Sequence, residues 1–131
     1  LNLCEEKYQV RVEPHLMQQV VFNLVNNACQ AMKAPGTITI ETGRIEDEKG
    51  KAWIVLKVKD TGIGIPPEII DSIFEPFFTT KEEGQGTGLG LSMCQSVIRN
   101  FGGDISVKSS RPGGTEFTIR LPERKNENPD R

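Results

Sequence analysis

Between residues 15 and 42 the spacing of apolar side chains changes period once, and that change restricts the fold more than any other feature of the chain. From His15 to Lys33, Met17, Val20, Val21, Leu24, Ala28, Ala31 and Met32 recur at helical spacing, with Pro14 where a first helical turn tolerates it. Ala34-Pro35-Gly36 stops that helix, and Thr37 to Thr42 alternates Thr and Ile in the two-residue period of a strand. The mixture continues downstream. Lys51 to Lys59 reads as a strand with Trp53, Val55 and Lys57 on one face and Ile54, Leu56 and Val58 on the other. Leu89 to Phe101 reads as a second long helix stopped by Gly102-Gly103, and Asp104–Ser109 with Gly114–Leu121 as a hairpin around Arg111-Pro112-Gly113. Between these lie a charged hairpin loop at Ile45–Gly50, a turn at Asp60–Pro67 and a short helix from about Glu68 to Phe74. Leu1 to Val12 reads as two extended pieces turning at Glu5-Glu6-Lys7. Phe74 to Gly86 lacks a clean period and reads as a mobile, functional segment. Strands mixed with helices and a closing antiparallel pair predict an α+β fold: a two-layer α/β sandwich, its mixed, mostly antiparallel sheet covered by helices on one face.

At 131 residues the chain has room for one domain and not for two enzymes. Residues 1–122 are assigned to it, and 123–131, with nothing apolar to bury, to a frayed tail. Sixteen basic residues against eighteen acidic ones give a net charge of −2, which excludes a bulk electrostatic drive towards nucleic acid or an anionic membrane. No run reaches the roughly 18 apolar residues of a membrane span, and the start at Leu1 without a signal-peptide pattern fits a piece of a longer protein. Cys4, Cys29 and Cys94 form no C-x-x-C pair and read as buried thiols in a reducing compartment. His15 stands alone, so a histidine metal site or a Ser-His-Asp triad has nothing to build on.

Any phosphate recognition must therefore be local, and three polar segments offer it. Gln19, Asn23, Asn26, Asn27 and Gln30 gather on one helix stripe, where Glu and Lys would be the ordinary choice. Asn23 and Asn27 lie one turn apart, so their carbonyl oxygens can reach a hard cation that shares substrate phosphates; a solvated amide face is the competing reading. Asp60-Thr61-Gly62-Ile63-Gly64 follows an apolar strand, with an acceptor suited to an exocyclic amine and glycines that permit positive φ and a flat ligand's approach; a plain Asp-Gly turn competes. Gly84-Gln85-Gly86-Thr87-Gly88-Leu89-Gly90 opens a helix, where exposed N–H groups and the helix dipole cradle phosphate; a glycine linker competes. It is neither a dinucleotide fingerprint nor a P-loop.

Taken in order, Asn23-Leu-Val-Asn-Asn27-Ala28, Asp60-x-Gly62-x-Gly64, Phe74-x-Pro-Phe77-Phe78 and Gly86-x-Gly88-x-Gly90 resemble the N, G1, F and G2 boxes of sensor histidine kinases. The resemblance is to their catalytic, ATP-binding domain, shared with gyrase-, Hsp90- and MutL-type ATPases, and implies a Bergerat-type fold. Phe74 to Lys81 is similar to the nitrogen-regulator type of kinase.

That resemblance implies roles. Asn27 matches the Mg²⁺ ligand between the nucleotide phosphates, with Asn23 as second contributor; Asp60 matches the acceptor of the adenine amine, Gly62 and Gly64 shape its pocket, and Thr115 joins the water network around the base. Gly86, Thr87, Gly88, Leu89 and Gly90 line the phosphates, with residues 78–87 as lid. Two departures concern cations: Pro76, Thr79 and Gln30 stand where many sensor kinases are basic, so Lys81 becomes the candidate phosphate contact and Arg99 a surface residue. No His followed by an acidic residue sits on an amphipathic helix pair, and His15 reads as a helix-entry residue. The implied function is a cytoplasmic kinase domain that takes ATP and Mg²⁺ and passes the γ-phosphoryl to a histidine on a separate dimerisation and phosphoacceptor domain, upstream of a response regulator. The fragment is expected to be monomeric, with no nucleic acid or membrane contact. The alternatives are a stand-alone ATPase or anti-sigma-type kinase, and a nucleotide-sensing module without chemistry.

Overall fold

The computed structural model describes residues 9–32, 35–76, 90–109 and 113–124. Helix α1 spans Pro14–Ala31, strand β1 Ile38–Glu46, β2 Ala52–Asp60, helix α2 Gly90–Asn100, β3 Asp104–Ser109 and β4 Thr115–Pro122. The four strands form one sheet in the order β1-β2-β4-β3, and every pairing among them is antiparallel.

Local chemistry sets most of the boundaries. Glu13 caps α1 by accepting the Leu16 N–H at 2.7 Å, a bond that holds its carboxyl below the usual value. The helix ends at Ala31, short of the expected Lys33, because Met32 is already extended and its N–H closes back onto the Cys29 carbonyl. Strand β1 runs to Glu46, beyond the expected Thr42, since Ile45 finds a cross-strand partner in Trp53; Asp47 then turns the chain by accepting the N–H groups of Lys49 and Lys51. The expected helix near residues 68–74 is only a 3₁₀ turn at Ile70–Ser72, built from i to i+3 bonds such as Ser72 N–H to the Ile69 carbonyl at 2.9 Å.

Strand alternation puts Val58, Ile105, Phe117, Ile119 and Leu121 on one sheet face, where they form a single core with Val20 and Leu24 of α1 and Cys94, Val97 and Ile98 of α2. Both helices therefore cover the same face, as the two-layer reading requires. Phe74 closes one end, its ring edge-on to Phe117 at 6.2 Å. On the other face Trp53 lies between the cations of Lys51 and Arg120, at 4.4 and 4.7 Å, and donates its indole N–H to Asp47. Beyond β4, Glu123 bridges Val10 and ion-pairs with Arg44 at 2.8 Å, and the Arg124 N–H donates to the Gln9 carbonyl. Among the described residues no helix is long and apolar enough to cross a membrane.

Candidate functional site

Helix α1 joins the two ends of the candidate site. At its C-terminal end lies the segment after β2. Asp60, the last residue of β2, is 4% exposed, and its Oδ1 accepts the Gly62 N–H at 2.8 Å and the Thr115 N–H at 3.3 Å. Oδ2 takes neither of these bonds. Two backbone donors thus fix the carboxylate through one oxygen and leave the other as an acceptor for a further donor.

The glycines here do different work from that expected. Gly64 adopts the anticipated positive φ of 80°. Gly62 does not; a Cβ there would meet the Ala31 carbonyl oxygen at 2.7 Å, so glycine is required for contact with the end of α1. Gly114 has φ 98° and lies so close to the Asp60 carbonyl that no Cβ fits. That approach sets Thr115 beside Asp60.

Roughly 12 Å back along the helix, eight residues at 1.5 Å each, α1 meets α2. Asn23 is half-buried there, its Oδ1 nearest Gly90: a Cβ on that glycine would be 3.7 Å away. Its amide also lies against the Cys94 thiol one turn further on. Asn27, half-buried, falls between the two ends on the same stripe, and Gln19, Asn26 and Gln30 are exposed. The amide row, the strand-end carboxylate and the helix start are therefore neighbours through one helix.

Next to Asn23, on the side away from Asp60, a cavity of about 590 Å³ is lined by His15, Gln18, Gln19, Phe22, Asn23 and Met93. Asp60 and Thr115 do not line it. His15, the second residue of α1, is exposed, in keeping with a helix-entry position, and Arg99 is exposed near the end of α2. The expectation of buried thiols holds for Cys94 and fails for Cys29: the buried stripe of α1 is Val20, Leu24 and Ala28, and the next residue along turns out to solvent. Cys4, Lys81, Gly86, Thr87, Gly88, Leu89 and the kinase-type segment at 77–81 lie outside the described residues.

Two contacts were not foreseen. The Ser109 hydroxyl accepts the Ile65 N–H at 2.6 Å and reaches Thr115 Oγ1 at 3.1 Å, tying the glycine turn to the β3–β4 end of the sheet. Its sequence signal was a polar residue on the inward parity of β3, two places after Val107. The Asn23–Cys94 contact carried no such signal, because it depends on how two helices pack.

Comparison with known proteins agrees with this geometry. Residues 12–125 match the family model described as histidine kinase-, DNA gyrase B- and HSP90-like ATPase. Sensor kinase CckA of Brucella abortus is 42% identical over 125 residues, covering 88% of this chain and 13% of that protein. The catalytic domain of histidine kinase ThkA, in a nucleotide-free form, superposes with a TM-score of 0.77 at 35% identity, covering 93% of this chain and 76% of that one. Full-length ShkA in complex with AMPPNP superposes with a TM-score of 0.80 at 25% identity, covering 98% and 26%. The chain spans 13% and 23% of the length of two curated relatives it matches, both sensor kinases. With four motifs in order, a two-layer fold that superposes on sensor-kinase catalytic domains, and a family match over most of its length, the chain belongs to the histidine kinase-, DNA gyrase B- and HSP90-like ATPase family.

Proposed function

We propose that this domain binds Mg²⁺·ATP and passes its γ-phosphoryl group to a histidine on a separate phosphoacceptor domain, which would in turn serve a response regulator. The observation that carries this reading is the pairing, through α1, of the Asp60 carboxylate, held by two backbone donors on one oxygen, with the Asn23–Gly90 contact at the start of α2. Asp60 Oδ2 accepts the exocyclic amine of adenine, and Thr115 stands next to it. The phosphates then run along α1 towards Asn27, Asn23 and the α2 start, with the glycines at 86, 88 and 90 and Lys81 as further contacts.

The donor set fits magnesium. Among the described residues no three His, Cys, Asp or Glu side chains gather as a metal site, whereas Asn27 and Asn23 supply neutral amide oxygens, the kind a hard cation uses when phosphates provide the charge. When bound, the ion neutralises charge on the transferring phosphoryl group. The protein's own part is positioning. Asn23, an amide, cannot take a proton from water at neutral pH, so slow hydrolysis accompanies transfer to a better nucleophile.

The test mixes this domain with a separately expressed phosphoacceptor domain and γ-labelled ATP. Label should reach the acceptor histidine and be lost with Asp60→Asn and Asn27→Ala. Tight ATP binding without any transfer would instead support a nucleotide-sensing module. Rapid hydrolysis that survives Asn23→Ala would support a stand-alone ATPase.

A further inference from the structure

Ser109 ends β3 on the face that carries Ile105 and Val107, and none of the roles above uses it. Three polar groups meet its hydroxyl. The Ile65 N–H donates to Oγ at 2.6 Å, the Gly114 carbonyl oxygen lies 3.0 Å away, and Thr115 Oγ1 lies 3.1 Å away. A serine hydroxyl has one hydrogen to give and two lone pairs to offer. The Ile65 N–H occupies one lone pair. The carbonyl of buried Gly114 can only accept, so it takes the Ser109 hydrogen. One direction remains for the third contact: Thr115 Oγ1–H donates to the second lone pair of Ser109.

The Thr115 hydroxyl is thereby left with lone pairs alone, and the Asp60 carboxylate, which the Thr115 backbone N–H holds, is also an acceptor. We propose that Ser109 is a positioning residue: it fixes the Thr115 hydroxyl as an acceptor, so that the pocket selects a base with an exocyclic amine over one with a carbonyl at the same position. This deepens the reading above and rests on its assignment of Asp60 and Thr115 to the base. The same hydroxyl tethers the Gly62–Pro66 turn through the Ile65 N–H, but that effect acts on any base alike.

Calorimetric titration with ATP and with inosine triphosphate, which carries a carbonyl in place of the amine, separates the two effects. In Ser109→Ala the Thr115 hydroxyl is free to turn and donate, and the preference for ATP should fall by about fivefold to tenfold, the size of one hydrogen bond. The lost tether lowers both affinities and cancels from the ratio. Ser109→Thr keeps the hydroxyl and should keep the preference. Thr115→Val should lose it to a similar degree, with Ser109→Ala adding little in that background. Ser109→Cys, close in size but a weak hydrogen-bonding group, gives the same measurement if the alanine variant does not fold. An unchanged ratio in either variant overturns the proposal. Asp60→Asn tells the failures apart: if it leaves ATP affinity intact the base assignment falls with this proposal, and if it weakens ATP while the ratio stays fixed, the Ser109 proposal alone falls.

Discussion

The side-chain amide of Asn23 lies against the thiol of Cys94, which is closed off from solvent and donates to the Val20 carbonyl at 3.8 Å. An amide on an open helix face can turn either way. Here α2 flanks the side chain, and Oδ1 lies on the Gly90 side, where the phosphate reading needs an acceptor for a cation.

Burial pushes the Cys94 thiol from 9.0 up to about 11, with the Asn23 hydrogen bond acting in the opposite sense. The folded protein therefore keeps a proton that the unfolded chain releases. Its stabilising effect is complete below 9.0 and is lost as pH rises through about 11. Melting temperature measured across that range should fall less steeply in Cys94→Ala than in the parent, and equal slopes would contradict this account. A thiol reagent at about pH 8 should modify exposed Cys29 in the native protein and Cys94 only after unfolding.

Asp60→Asn should weaken ATP binding by about tenfold to a hundredfold, the range for a hydrogen bond to a charged group. The substituted amide is a poorer acceptor and, in one of its two orientations, faces the adenine amine with another donor. Calorimetry on a variant shown to fold by circular dichroism measures it, and unchanged affinity would remove Asp60 from the base pocket.

Asn27→Ala should raise the magnesium concentration needed for tight ATP binding while leaving binding in a chelator nearly as it was. Titrating magnesium at fixed nucleotide reads this directly. Equal losses with and without the metal would mean that Asn27 contributes to packing and not to cation binding.

Gly114→Ala should destabilise the domain by about 3 kcal/mol or more, because it adds a left-handed φ penalty to a clash with the Asp60 backbone. Gly43→Ala offers a control within a strand, since a Cβ there meets nothing within 4 Å. Urea denaturation followed by the fluorescence of Trp53, which lies on the face away from the helices, compares the two. Similar midpoints for both would rule out the close approach of Gly114 to Asp60.

Core alternation and motif order were legible in the order of residues along the chain. Period-two and helical patterns depend on which side chains must leave water, and that preference belongs to each residue wherever it ends up. Hence α1, α2 and all four strands were expected, as was the sharing of a face by Ile54, Leu56 and Val58. Boundaries were less accurate: the extra residues of β1 depended on Trp53 across the ladder, and the helix foreseen near 68–74 shrank to one 3₁₀ turn.

Contacts between distant segments were not legible. Gly62 was read as a freely turning residue and is needed because Ala31, far away in the chain, occupies the space a side chain would fill. Ser109 and Cys94 looked like a strand residue and a core filler until packing set one against Thr115 and the other against Asn23. Residue types specify which groups seek burial and which can donate or accept. The partner each group finds, and so the direction in which an amide or a hydroxyl points into the site, is settled only when helices and strands close on one another and leave a single arrangement in which no buried polar atom goes unpaired.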